Sequence, residues 1–151
     1  MSKTKIELYN TLKAIFLHID NHEKAFLAEF GLNIPRYFVL HHLNNRPGIN
    51  NMDLSERLLC TKSNTSRIVQ GMLKDGLITR QYHPEDRRSY QLYLSESGKA
   101  LFERVYPAFN QQINKLMSLI DSDKIDPYLE VIQSIETILA PTNEPLSSKD
   151  D

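Results

Sequence analysis

The chain has 151 residues, 40% of them apolar, and a formal net charge of −1. That length suits one domain with a sizeable core, and no apolar run approaches the ~18–20 residues of a membrane span. No charged, apolar and small leader opens the sequence, and its single cysteine cannot close an intramolecular disulfide, so the expectation is a soluble cytoplasmic protein.

Along the chain, Leu8, Leu12, Ile15, Phe16, Ile19, Phe26, Leu27 and Phe30 recur at helical spacing up to Gly31, a residue suited to ending a helix. Asn33 reads as the N-cap of a second helix with Pro35 in its first turn, where the missing N–H costs little. This helix is predicted to bury Phe38, Val39 and Leu43 and to stop before Arg46-Pro47-Gly48. Asn50 reads as another cap, with Asp53 in the reciprocal position of a capping box. Two short helical patterns follow, Met52–Leu59 and Ser63–Gln70, flanking the break Cys60-Thr61-Lys62. Thr61 can cap the second of them. Its apolar face is Ile68, Val69, Met72 and Leu73, which leaves Ser63, Asn64, Ser66, Arg67 and Gln70 for solvent or a partner.

A turn at Asp75-Gly76 leads to two alternating segments, Ile78–Tyr82 and Tyr90–Leu94, which read as paired strands around the charged tip Pro84-Glu85-Asp86-Arg87-Arg88. Ser95 caps a long helix carrying Leu101, Val105, Phe109, Ile113, Leu116, Met117 and Ile120, with Pro107 expected to kink it. A final helix starts near Ser122 or Asp126 and shows Ile125, Leu129, Ile132, Ile135 and Leu139; residues 141–151 are predicted to form a disordered tail.

The expected fold is mainly α with a small β-hairpin: a winged helix-turn-helix between N- and C-terminal helices. A single domain over 1–140 is predicted, with its DNA-binding part at about 35–98 and its dimerisation part at about 4–30 plus 100–140. The outer helices carry apolar stripes wider than a small winged helix covers, and a two-fold dimer built from both chain ends would bury them. Residues 57–88 carry seven Lys or Arg against three Asp or Glu, so the segment that would face DNA is basic while the rest is acidic. The plain alternative is ordinary surface charge.

Taken in this order, the chain resembles the MarR family of multiple-antibiotic-resistance regulators from Ile6 to Leu139. The resemblance is carried by Gly31 to Leu40, by Leu54-Ser55-Glu56-Arg57-Leu58 with Lys62 to Arg67, by Leu73-Lys74-Asp75-Gly76-Leu77-Ile78, and by Asp86-Arg87-Arg88 followed by Leu94-Ser95-Glu96-Ser97-Gly98. It implies a homodimer on a pseudo-palindromic DNA operator, usually a repressor released by a small ligand or by oxidation, and no enzyme. It also implies that Lys62, Ser63, Asn64, Thr65, Ser66 and Arg67, with Gln70, form the reading surface in the major groove. Arg88 would enter the minor groove, Arg87 would sit on phosphate, and Asp86 would orient an arginine. Asn64 stands where the family commonly has Thr.

Other readings stay beside this one. A winged helix can serve as a protein-interaction module without specific DNA binding. Cys60 invites a redox-sensing reading, against a structural one in which it sits buried and inert in the turn. His18 and His22 lie four apart on one helix and His41 and His42 adjoin on the next, a spacing that can hold metal; the relatives' metal ligands lie elsewhere, and no metal or cofactor is expected. His18, His22, Tyr37 and His41 are instead the candidates for a cleft where relatives bind small aromatic acids and phenols. No phosphate loop, nucleophile elbow or persuasive carboxylate pair supports an enzyme.

Overall fold

A computed structural model describes residues 3–86 and 88–140; the predicted tail and Arg87 lie outside the described residues. The helices are α1 (Lys3–Ala28), α2 (Ile34–Asn45), α3 (Asn51–Leu58), α4 (Lys62–Lys74), α5 (Glu96–Met117) and α6 (Ser122–Leu139). Strands β1 (Ile78–Tyr82) and β2 (Tyr90–Leu94) lie between α4 and α5, so the mainly α architecture with one hairpin is as expected. The chain divides into two compact units, with the boundary after Asn110.

In the first unit, local chemistry sets the ends of the helices. Gly31 takes φ +69 after α1, a region that favours glycine, and the Leu32 amide donates back to the Leu27 carbonyl at 3.0 Å. The Asn33 side chain accepts from the Arg36 amide at 2.9 Å, which caps α2. Asn50 caps α3 by accepting from the Asp53 amide at 2.8 Å, and the reciprocal bond of a full capping box is not formed. Tyr37, Val39, Leu40 and Leu43 face the core; Phe38, expected there, is half-buried because Tyr37 and Leu40 turn the buried stripe away from it.

The hairpin pairs Ile78 with Leu94 and Tyr82 with Tyr90. A third short segment joins it, since the Leu92 amide donates to the Ile49 carbonyl at 3.0 Å. The hairpin is tied to α5 through Ser95, whose hydroxyl donates to the Gly76 carbonyl at 2.6 Å and accepts from the Gly98 amide at 3.0 Å. Gly98 has to be glycine, because a Cβ there would lie 1.9 Å from the Leu77 carbonyl oxygen. Leu27, Leu40, Leu54, Met72, Leu92 and Val105 are fully buried, each worth ~1.5–3 kcal/mol over leaving it exposed. Helix α5 runs on through Pro107.

By contrast, most of the apolar stripe of α1 is uncovered. Leu8, Ile15, Phe16 and Ile19 are exposed, and only its C-terminal end is packed, through Phe26 and Leu27, with Phe30 packed just beyond it. The second unit holds the last turns of α5 and all of α6. Helix α6 buries none of its residues, and Ile125, Leu129 and Ile132 stay exposed. It begins at Ser122 and carries Pro127 within its early turns.

Candidate nucleic-acid interface

Helix α4 is presented by a defined turn. Leu58 ends α3, Leu59 takes a left-handed conformation (φ 53, ψ 37), and Thr61 opens α4 by accepting from the Asn64 amide at 3.2 Å. Val69 and Met72 anchor α4 in the core, and Ile68 and Leu73 pack beside them. Its outer face presents Lys62, Ser63, Arg67 and Gln70 to solvent, with Asn64 and Ser66 half-buried at its edges. The Arg67 guanidinium donates to the Asn64 side-chain oxygen at 2.6 Å. The Asn51 amide donates to the Ser66 hydroxyl at 3.1 Å, fastening α3 to α4.

Thr65 departs from expectation. It is fully buried, and its hydroxyl donates to the Thr61 carbonyl at 3.0 Å. One helical turn before Val69, it lies on the core side of α4 and cannot touch a base without the helix rotating. The reading surface therefore loses Thr65 and keeps its exposed neighbours.

At the wing tip, the Asp86 carboxylate accepts from the Arg88 backbone amide at 2.9 Å, and the Ser89 amide donates to the Asp86 carbonyl at 3.1 Å. Asp86 thus shapes the backbone turn that carries Arg88, orienting this arginine through its backbone amide. Arg88 is exposed. Below the tip, the Arg80 guanidinium lies over the rings of Tyr82 and Tyr90 at 5.4 and 5.8 Å, an arrangement that stiffens the hairpin.

Residues 32–90 match the model of the MarR family. The chain is 23% identical over 128 residues to the uncharacterized HTH-type transcriptional regulator YkoM of Bacillus subtilis, covering 85% of this chain and 83% of that protein. Its fold is similar to a putative MarR-like transcription regulator from Bacillus cereus ATCC 10987, with a TM-score of 0.84 at 16% identity over 91% of this chain and 99% of the other. It is also similar to the transcriptional repressor CouR bound to a 23-mer DNA duplex, with a TM-score of 0.78 at 24% identity over 89% and 97% of the two chains. The family match covers residues 32–90, from the start of α2 through the helix-turn-helix to the start of β2, and the fold is similar to that of MarR-like regulators. The likeness is to transcriptional regulators of the winged helix-turn-helix type. No described helix is long and apolar enough to cross a membrane.

The chain also carries a cavity of about 600 Å³ beside the helix-turn-helix. Phe16, Ile19, Asp20 and Glu23 of α1 form one wall, Ile34, Phe38, His41 and His42 of α2 another, and Arg57 with Leu58, Leu59 and Cys60 the third. Of the four residues expected to line such a cleft, only His41 does so. His18 and His22 are exposed elsewhere on α1. Tyr37 is 2% exposed and its ring packs 4.5 Å from that of Phe109, so burial, then Tyr106, then Glu23, push its phenol up to about 12.

The polar groups of the cavity are specific. The Asn45 amide nitrogen lies 3.0 Å from His41 Nε2, and His41 Nδ1 is buried with no hydrogen-bond partner among the described residues. Burial lowers the His42 pKa, with His41 and Arg57 adding to the effect. Burial, with Asp20 adding to it, raises that of Glu23. Cys60 is half-exposed and lines this cavity, not buried in the turn as the structural reading required. Sequence reasoning missed Glu23, His42 and Arg57; the adjacent histidines were the one available signal. Among the described residues, no cluster of three or more His, Cys, Asp or Glu can hold a metal ion.

Proposed function

We propose that this regulator is a cytoplasmic, homodimeric, ligand-responsive repressor that binds a pseudo-palindromic operator. The observation that carries the reading is the capped α4, with Lys62, Ser63, Asn64, Arg67 and Gln70 outward, beside a wing tip that exposes Arg88. Helix α4 enters the major groove and Arg88 the minor groove, while phosphate contacts supply most of the affinity. A second copy covers the exposed apolar faces of α1 and α6 and sets the spacing of the two recognition helices.

The cavity behind the turn supports ligand response. Leu59 and Cys60 line it, and they also line an open hollow together with Thr61, Ser63, Asn64 and Arg67. A small aromatic or phenolic effector in the cavity therefore lies one turn of backbone from the reading surface. It releases DNA to the extent that it prefers a conformation whose helix spacing mismatches the operator.

The test is a titration of the protein against the DNA upstream of its own gene, with and without aromatic acids and phenols. Salt-dependent, sequence-specific binding that the effector weakens is the expected result. Micromolar binding indifferent to sequence would favour a protein-interaction module instead.

A further inference from the structure

We infer that Leu59 is a specificity-determining residue for DNA, its side chain taking the 5-methyl group of a thymine next to a guanine read by Arg67. The inference rests on DNA reading by α4 and goes beyond it. Leu59 is 90% exposed, the most exposed large apolar side chain among the described residues. It is also the one non-glycine described residue with positive φ. A left-handed leucine carries a steric penalty that glycine would avoid, and an apolar side chain in water gains nothing for folding. Strain retained at such a position points to a role outside the fold.

The surroundings say what that role is. Leu59 and Cys60 form the apolar wall of an open hollow of about 630 Å³ whose other wall is Ser63, Asn64 and Arg67. Thr61 lies between the two walls, and the exposed Ser63 and Arg67 make the hollow part of the outer face of α4. Its polar wall holds a guanidinium already oriented by Asn64 at 2.6 Å, whose other N–H groups have no partner among the described residues and can meet an acceptor pair. In the major groove guanine offers such a pair, O6 and N7, and thymine alone carries a methyl group. An apolar wall facing an anchored arginine therefore fits a thymine beside a guanine on one half-site.

The test selects duplexes from a randomised pool with the wild-type protein, then replaces each half-site thymine by deoxyuracil and the neighbouring guanine by 7-deazaguanine. At one thymine, loss of the methyl should weaken wild-type binding about four-fold, the equivalent of one buried methyl group. Leu59→Gly, which relieves the backbone and should melt no lower than wild type, should bind the thymine and deoxyuracil duplexes equally. The inference is overturned if no deoxyuracil replacement matters, or if Leu59→Gly keeps the wild-type discrimination. It is overturned too if Leu59→Gly alters only the response to an effector. Failure to enrich any sequence would overturn DNA reading itself, and this inference with it.

Discussion

The Arg67 guanidinium and the Asn64 side-chain oxygen, 2.6 Å apart on successive turns of α4, form one unit and not two independent base readers. Through this hydrogen bond Asn64 aims Arg67. Asn64→Ala should then relax the rank order of operator variants at the base pair Arg67 reads, with a loss of roughly 1–3 kcal/mol there. Lys62→Ala should weaken all variants alike and reduce the salt slope by about one. Competition binding across a panel of single-base variants separates the two. An unchanged rank order in Asn64→Ala would remove it from specificity.

At the wing, the cation and the carboxylate play separable parts. Arg88→Ala should weaken operator binding by roughly 1–3 kcal/mol and leave the melting temperature unchanged, because the side chain is exposed. Asp86→Ala removes the acceptor for the Arg88 amide, so it should loosen the tip and weaken binding less, while the cation stays. Anisotropy titrations at physiological salt read both. Equal affinity of Arg88→Ala and wild type would exclude the wing from DNA binding.

The cavity predicts opposed pH effects on stability. His42 sits below its ordinary 6.5 through burial, His41 and Arg57, so the unfolded chain takes up the proton first as pH falls. Its contribution is complete above about pH 6.5 and is lost as pH drops toward the folded value. Glu23 is raised from 4.5 by burial and Asp20, so its contribution is complete below about 4.5 and is lost as pH rises through the folded value. His42→Gln should flatten the loss of stability between pH 7 and 5, and Glu23→Gln should raise stability at pH 7 but not at pH 4. Urea unfolding across this range measures both. A His42→Gln slope equal to wild type would mean that the ring is not held neutral by the fold.

Most of the fold was legible in the sequence because its boundaries rest on local chemistry. Asn33, Asn50, Thr61 and Ser95 cap because their short side chains reach an amide three residues on. The strands ended where alternation ended. What escaped depended on rotation or on distant partners. Thr65 looks like its polar neighbours in sequence, and only the seating of Val69 and Met72 turns it inward. The ion pair of Arg36 with Asp75 at 2.6 Å, for which Gly71 leaves room, joins residues of α2 and the end of α4 that no short-range pattern relates. Leu59 was illegible for a simpler reason: its sequence gives no sign of a left-handed backbone.

The proposed dimer makes the strongest demand on the chain ends. Helix α6 has no buried residue, and Ile125, Leu129 and Ile132 expose their side chains along it. Covering such aliphatic residues with a second copy is worth ~1.5–3 kcal/mol each, comparable in sum with a folding margin of ~5–15 kcal/mol. A chain ended at Ser122 should therefore be monomeric, aggregated or unfolded, and should lose tight operator binding although Arg67 and Arg88 remain. A chain ended at Pro141 should keep both assembly and affinity, since the sequence from Thr142 to Asp151 carries no apolar stripe. Light scattering and operator titration of the two truncations decide between these outcomes. A folded dimer that lacks α6 would show that this helix is not part of the interface, and would leave α1 to account for the pairing.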